Sequence, residues 1–407
     1  MNGNNTNAGP PGVAVRSQAE ARAILIAQAA SIGRFQAPEV WQVQAVNLAT
    51  PNNLVVPTNM PLSRPAESIV ITLALRVTVA NNAMTAVFPE APQTLLQQVQ
   101  LNGTHRDFGA LTPWQVSGAT VFALPLWFQQ TGNDLLINGV LAARPGRPFV
   151  SPFTGLVGTH DMLITWNLPL GPIMGIGQST KRDLASFLYH GEDWGDTLRM
   201  QLLFGDASAL GTPNAPGDVV LSGPGGVGNP LVSIGINYSI LGPFANALDN
   251  GIVVRNEQTF TQFVTAGVRQ RIGQLQKQIT SNVVTKTGTA AAGLTAGVTA
   301  FGALVDTQFD QTQVIVDNKP VKFNQNNPMM KSYVDRMFAC VTPEGYLNLT
   351  FVDGQNPSLA YRGDQISGAA AFELRSDILT SGATQVQTML QEMIWGGPFP
   401  GRARQAA

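Results

Sequence analysis

Short runs in which apolar and polar residues alternate, each closed by glycine, proline or asparagine, fill most of this chain. The longest is "SIVITLALRVTVA" (68–80), followed by Asn81-Asn82. Successive side chains of an extended strand point to opposite faces, so such a run has one face to bury and one to wet. A chain built of these runs folds by stacking sheets. "TLLQQVQLNG" (94–103) shows the pattern closely: Val99 and Leu101 face one way, Gln98 and Gln100 the other, and Asn102-Gly103 reads as a tight hairpin turn.

Between Glu39 and Leu241 the strand pattern recurs at 39–49, 119–128, 161–170, 196–204 and 231–241, with a Gly/Pro loop at 205–230 holding a short strand at 219–221. A break at Gly242-Pro243 precedes a second set. It contains "GIVVRNEQTFTQF", the hairpin-like pair "QVIVDNKPVKF" (313–323), "GYLNLTFVDG" (345–354) and "AAAFELRSD" (369–377). Asn327-Pro328 opens a short helix through Arg336, with Pro at the first helical position. A chain of 407 residues exceeds one ordinary core, and 41 Gly and 27 Pro supply frequent turns. The expected fold is all-β: two tandem eight-stranded jelly rolls with an N-terminal helical arm and a few short helices. The expected divisions are 1–38 for the arm, 39–240 for the first roll, 241–390 for the second and 391–407 for a C-terminal tail.

The arm differs in period. Ser17 and Glu20 make a capping box, Gly33 can close the helix, and Ala21, Ile24, Leu25 and Ile32 form one stripe beside Arg16, Arg22 and Arg34. Such a helix docks on a neighbouring domain or subunit, or lies on a membrane surface. The chain's first residues, "MNGNNTNAGPPG", lack the basic-then-apolar plan of a signal peptide, so use without export is expected. Residues 287–305 are uncharged, but their glycines and threonines leave too few large apolar side chains for a span, and they read as strand and loop.

Charge is scarce: 12% of residues, against about 25% in ordinary soluble proteins, with a net charge of −1. That balance gives no field for nucleic acid. Six of the 24 basic residues are lysine, and the rest are arginine, which interfaces favour because the guanidinium is weakly hydrated and bonds in a planar fork. Neutral amides on wet faces avoid the desolvation cost of an ion when another surface covers them. Both features point to a surface that is mostly interface.

Three segments mimic chemical motifs. "GPGGVG" (223–228) lacks the following helix that a dinucleotide site needs and reads as a turn-rich loop. "HRDFG" (105–109) superimposes two kinase signatures that belong to separate loops. "HGEDWGD" (190–196) offers His190, Glu192, Asp193 and Asp196, matches no defined cation loop, and reads as a solvated turn. Cys340 stands alone among apolar neighbours and reads as core. No catalytic constellation, metal site or cofactor site is expected.

Taken in order, the N-terminal helix, "LRVTVANNAMTAV", "LLQQVQLNGTHRDFGALTPWQV", "TLRMQLLFGDASA", "GNPLVSIGINYSILGPFANAL", "NPMMKSYVDRMF", "GYLNLTFVDG" and "AAFELRSDIL" form a colinear series. The series resembles the double jelly-roll major capsid proteins of tailless, membrane-containing (tectivirus-type) bacteriophages over about residues 15–385, with a poor match across 245–320. The resemblance implies a structural, non-enzymatic role. It implies homotrimers that present six barrels as a pseudo-hexagon and tile an icosahedral shell around an internal lipid membrane. It further implies assembly in the host bacterial cytoplasm, minor capsid or vertex proteins as partners, and an arm (Arg16, Arg22, Ile24, Leu25, Ile32, Arg34) on the membrane side. Two alternatives stand beside it: a double-β-sandwich glycan-binding or glycan-hydrolysing protein, and a minor vertex or spike protein of a virion.

Overall fold

The computed structural model describes residues 38–64, 66–80, 84–87, 91–127, 134–141, 157–170, 189, 191–238, 252–263, 269–274, 279–290, 301–303, 309–316, 319–326, 329, 331–332, 336, 346–350, 361–362, 372–378 and 384–395. The arm residues Arg16, Arg22, Ile24, Leu25, Ile32 and Arg34 therefore lie outside the described residues, as do His190 and Cys340.

The first half contains β1 (Glu39–Ala45), β2 (Asn53–Val55), β3 (Ala66–Val79), β4 (Met84–Val87), β5 (Leu96–His105) and β6 (Gly109–Val116). After helix α1 (Gly118–Trp127) come β7 (Asp134–Ile137), β8 (Val140–Leu141) and β9 (Gly158–Pro169). A short helix, α2 (Gly191–Trp194), precedes β10 (Arg199–Phe204), β11 (Gly211–Pro213), β12 (Val219–Ser222) and β13 (Leu231–Tyr238). One sheet runs β1-β13-β3-β9-β7-β8 with β12 beside β3, and the facing strands run β2-β10-β5-β6. Among the eight principal strands (β1, β2, β3, β5, β6, β9, β10, β13) the first pairs with the eighth, the second with the seventh, the third with the sixth and the fourth with the fifth. A long hairpin wrapped on itself pairs in this way, and the result is a jelly roll.

The second half holds β14 (Ile252–Phe263), β15 (Arg269–Gln274), β16 (Ile279–Ala290), β17 (Phe301–Ala303), β18 (Phe309–Val316) and β19 (Lys319–Asn326). They are followed by β20 (Tyr346–Thr350), β21 (Tyr361–Arg362), β22 (Phe372–Ile378) and β23 (Thr384–Trp395). Here β14 pairs β23, β15 pairs β22, β16 pairs β20 and β18 pairs β19, so the same wrapping repeats. The fold is two tandem eight-stranded jelly rolls. Its last strand runs past residue 390, to Trp395.

Alternation explains the first core. In β3, Ile69, Ile71, Leu73, Leu75, Val77 and Val79 are buried while Val70, Thr72, Ala74, Arg76 and Thr78 are half-buried on the other face. Met162, Ile164, Trp166 and Leu168 of β9 join them, opposed across the sandwich by Val99, Leu101, Trp114, Met200, Leu202 and Phe204. Each such side chain contributes about 1.5–3 kcal/mol by leaving water.

Three sequence expectations are corrected. Of residues 119–128, expected as a strand, 119–127 lie in α1. The run "ATVFALPLWF" is apolar but for Thr120, which fits a buried strand and a buried helix equally. The Ser117 hydroxyl accepts from the Thr120 N–H at 3.4 Å and the Ser117 carbonyl accepts from Val121 N–H, and Ala119 to Phe122 are all buried. The cap and burial on every face decide for the helix. Asn102-Gly103 is no turn either: β5 continues to His105, and the chain reverses at 106–108. Gly103 sits where a Cβ would lie 3.0 Å from Leu198 Cδ1 and 3.2 Å from Trp194, beside a register shift between Leu101 and Gly103. It is glycine for close approach. The loop 205–230 also carries β11, paired with β4, besides β12.

Candidate interaction surfaces

The mimic motifs come together without gaining chemistry. "HRDFG" is the β5–β6 turn, and it sits on the α2 segment of "HGEDWGD". Arg106 N–H donates to the Asp193 carbonyl at 2.7 Å, and its guanidinium pairs with the Asp193 carboxylate at 3.1 Å. His105 is buried, stacks on Phe108 with centroids 4.6 Å apart, and meets Trp194 edge-on at 5.0 Å. Its Nδ1 accepts the Asp107 N–H at 3.1 Å. Burial pushes the imidazole below its ordinary value; Asp193 and Asp107 oppose this, and Arg106 adds to it. The Thr197 hydroxyl accepts from Thr104 N–H and donates to the Trp194 carbonyl, tying the two segments again. The cluster pins one end of the first roll. Among the described residues no three metal-ligating side chains gather.

"GPGGVG" is a loop between β12 and β13. Gly225, Gly226 and Gly228 have positive φ, and the loop closes through Gly223 N–H to the Gly228 carbonyl at 2.8 Å. A strand follows it, so no helix terminus meets a phosphate there.

The wet faces carry the unusual chemistry. On the β10–β5–β6 face, Gln201 stands opposite Gln100 and Gln100 opposite Gln115. This gives a row of three amides, with Gln98 and Asn102 nearby on the same strand. Side chains in such a row are about 5 Å apart and can bond along it. Val99 and Leu101 are buried and Gln98 and Gln100 half-buried, as the alternation requires.

On the outer face of the other sheet, Ala45, Leu231, Ala74, Leu163 and Leu136 lie in one row across β1, β13, β3, β9 and β7. Leu231 is 41% exposed and Leu163 37%. Charges near this row come as pairs. Arg76 and Asp161 face each other across β3 and β9 and form a double hydrogen bond at 2.6 and 2.7 Å, which raises the arginine and lowers the aspartate pKa. Glu39 at the β1 edge bonds Arg64, whose guanidinium lies 4.4 Å over the Tyr238 ring. Internally neutralised pairs leave the face with little net charge to oppose a neighbour.

The rolls meet edge to edge. Fifth strand β6 of the first roll pairs in parallel with first strand β14 of the second, Trp114 opposite Asn256 and Gln115 opposite Glu257. One ten-stranded sheet thereby spans both halves. Sequence reasoning missed this junction, because nothing local in "TPWQV" or "VRNEQ" distinguishes an edge strand from one that gains a partner. No helix of the described residues is long and apolar enough to cross a membrane.

No protein-family model and no curated protein sequence matches this chain. Solved structures do. The chain superimposes on the major capsid protein of STIV with a TM-score of 0.54 and 10% identity, covering 89% of this chain and 95% of that one. A chain from the atomic structure of Sulfolobus Turreted Icosahedral Virus gives 0.56 at 12% identity, covering 87% of this chain and 89% of that one. The whole described chain thus has the double jelly-roll fold found in viral major capsid proteins.

Proposed function

We propose that this protein is a structural major capsid protein without catalysis, forming homotrimers that tile an icosahedral virion shell. The observation that carries this reading is the repeat itself. One chain holds two rolls of identical wrapping, joined through a shared sheet, so three chains supply six similar barrels around a pseudo-six-fold axis. Amide rows and paired charges on the outer faces fit a tile whose neighbours are copies of itself, where like charges would otherwise meet at every repeated contact. The sequence supports the finer reading: residues 1–38 as an arm facing an internal membrane, 39–240 and 241–390 as the two rolls (the second lengthened to Trp395 by its last strand), 391–407 otherwise as a tail, minor capsid or vertex proteins as further partners, and a bacteriophage assembled in its host's cytoplasm.

The test is the mass of the purified protein in solution by light scattering. A species near three times 43.2 kDa is expected, and a monomer at every concentration would overturn the reading. Copy number in purified particles separates a shell tile from a vertex protein.

A further inference from the structure

Two sheet edges of the chain complement each other. Among the described strands, first strand β1 of the first roll pairs only with β13, and fifth strand β19 of the second roll pairs only with β18. Their equivalents in the opposite rolls, β14 and β6, are the two strands that join in parallel inside the chain. The chain therefore already contains one copy of a fifth-strand-to-first-strand contact and the two halves of another.

We propose that β1 receives β19 from a second copy of this chain, in the parallel arrangement that β6 and β14 make within one. This rests on the capsid-tile reading above and names the edge through which neighbouring chains join.

The chemistry of β1 supports it. Exposed strand edges are usually blunted by lysine, proline or charge. In β1 the residues Val40 and Val43 are 70% and 55% exposed, Gln42 and Gln44 flank Val43, no lysine is present, and the one charge, Glu39, is paired with Arg64. One register shift lies between Val40 and Gln42; Gln42 to Ala45 pair regularly with β13 and with no other described strand, while Trp41 and Gln42 bond Thr58 through their side chains. Proline placement agrees. Pro113 of β6 directly precedes Trp114 and Gln115, the residues that meet β14, and Pro320 of β19 directly precedes Val321 and Lys322. A proline cannot donate to a ladder, so on β6 the partner is met past it, and the proposed contact on β19 is likewise placed past Pro320, although Lys319 and Lys322 flank that proline.

The contact is head-to-tail, since β1 and β19 are different surfaces, and such contacts build a ring when the rotation closes. Three chains alternate the internal and the external version of one junction around that ring.

Cysteine pairs test this in a Cys340→Ser background, which removes the chain's one natural thiol. With Val43→Cys fixed, a second cysteine is walked through Val321, Lys322, Phe323 and Asn324, and each purified protein is oxidised and run on a denaturing, non-reducing gel. Adjacent strands lie about 4.8 Å apart, within reach of a disulfide. Covalent trimers are expected at alternate positions of the walk only, because successive side chains face opposite ways, and neither single-cysteine protein should cross-link. Val43→Lys should keep the urea midpoint of the wild type and raise the concentration at which trimers dissociate by about tenfold. Cross-linking by Val43→Cys alone would mean β1 meets β1, and it overturns the proposal. A trimeric mass with no cross-link at any of the four positions overturns it too, while leaving the capsid-tile reading intact. A protein monomeric at every concentration overturns that reading, and this proposal with it.

Discussion

A methyl group added at Gly118 would run into the carbonyl and side chain of Leu96, because α1 begins directly against the start of β5. The carbonyl oxygen and Cβ of Leu96 are fixed by the backbone, so rotating the side chain does not clear them. Gly118→Ala should lower stability by about 1–3 kcal/mol, read as a drop in the urea midpoint at unchanged slope. His105 gives a second prediction at this scale. Its buried ring is held below the ordinary value near 6.5 mainly by desolvation, and Nδ1 must stay unprotonated to accept from Asp107. As pH falls through about 6.5 the unfolded chain takes up the proton first. The stability that neutral His105 supplies is therefore complete above that value and is lost as pH drops toward the folded-state value. Thermal midpoints should fall with acid across this window, and His105→Phe should show a smaller fall than the wild type. Equal slopes for the two proteins would remove His105 as the cause.

At the scale of elements, the amide row Gln201–Gln100–Gln115 explains why β5 wets its face with glutamine. Amides bond to one another across strands and carry no charge into a covered surface. Gln100→Lys with Gln201→Lys sets two ammonium groups opposite each other and should cost under about 1 kcal/mol in the isolated fold. Gln100→Lys with Gln201→Glu should recover that loss. If the face is covered in the shell, both pairs should reduce particle yield more than they reduce stability, as measured by sedimentation of assembled particles. Helix α1 teaches the converse lesson. Its sequence carries no period, and only the Ser117 cap and the enclosing strands make it helical.

For the whole molecule, each roll closes its own wrapping among strands that begin at Glu39. Deleting residues 1–37 should accordingly leave the melting transition and the trimeric mass unchanged, because the rolls keep their cores. The loss should come at particle assembly. Ile24→Asp with Leu25→Asp keeps the arm's length while removing its apolar stripe, and the expected outcome is soluble trimers with failed or membrane-detached shells. Normal lipid-filled particles from this double mutant would show that the arm is a passive tail.

Local pattern alone located β1, β3, β5, β9, β10, β12 and β13, since a period of two fixes which of Val99, Gln100 and Leu101 can be buried whatever lies opposite. It also placed the loop at 223–228, because clustered glycines weaken helix and strand and readily take positive φ. The colinear series of segments carried the jelly-roll expectation as far as the second half, where β14 to β16 and β23 alternate less cleanly and were poorly legible. Only the tertiary structure decided the rest. Whether an apolar run becomes α1 or a strand depends on what encloses it, and whether Gly103 turns or lets Leu198 approach depends on a residue far along the chain. The parallel join of β6 to β14 depends on two edges meeting in space. Backbone hydrogen bonds between distant strands are the same for every sequence, so no residue pattern announces them.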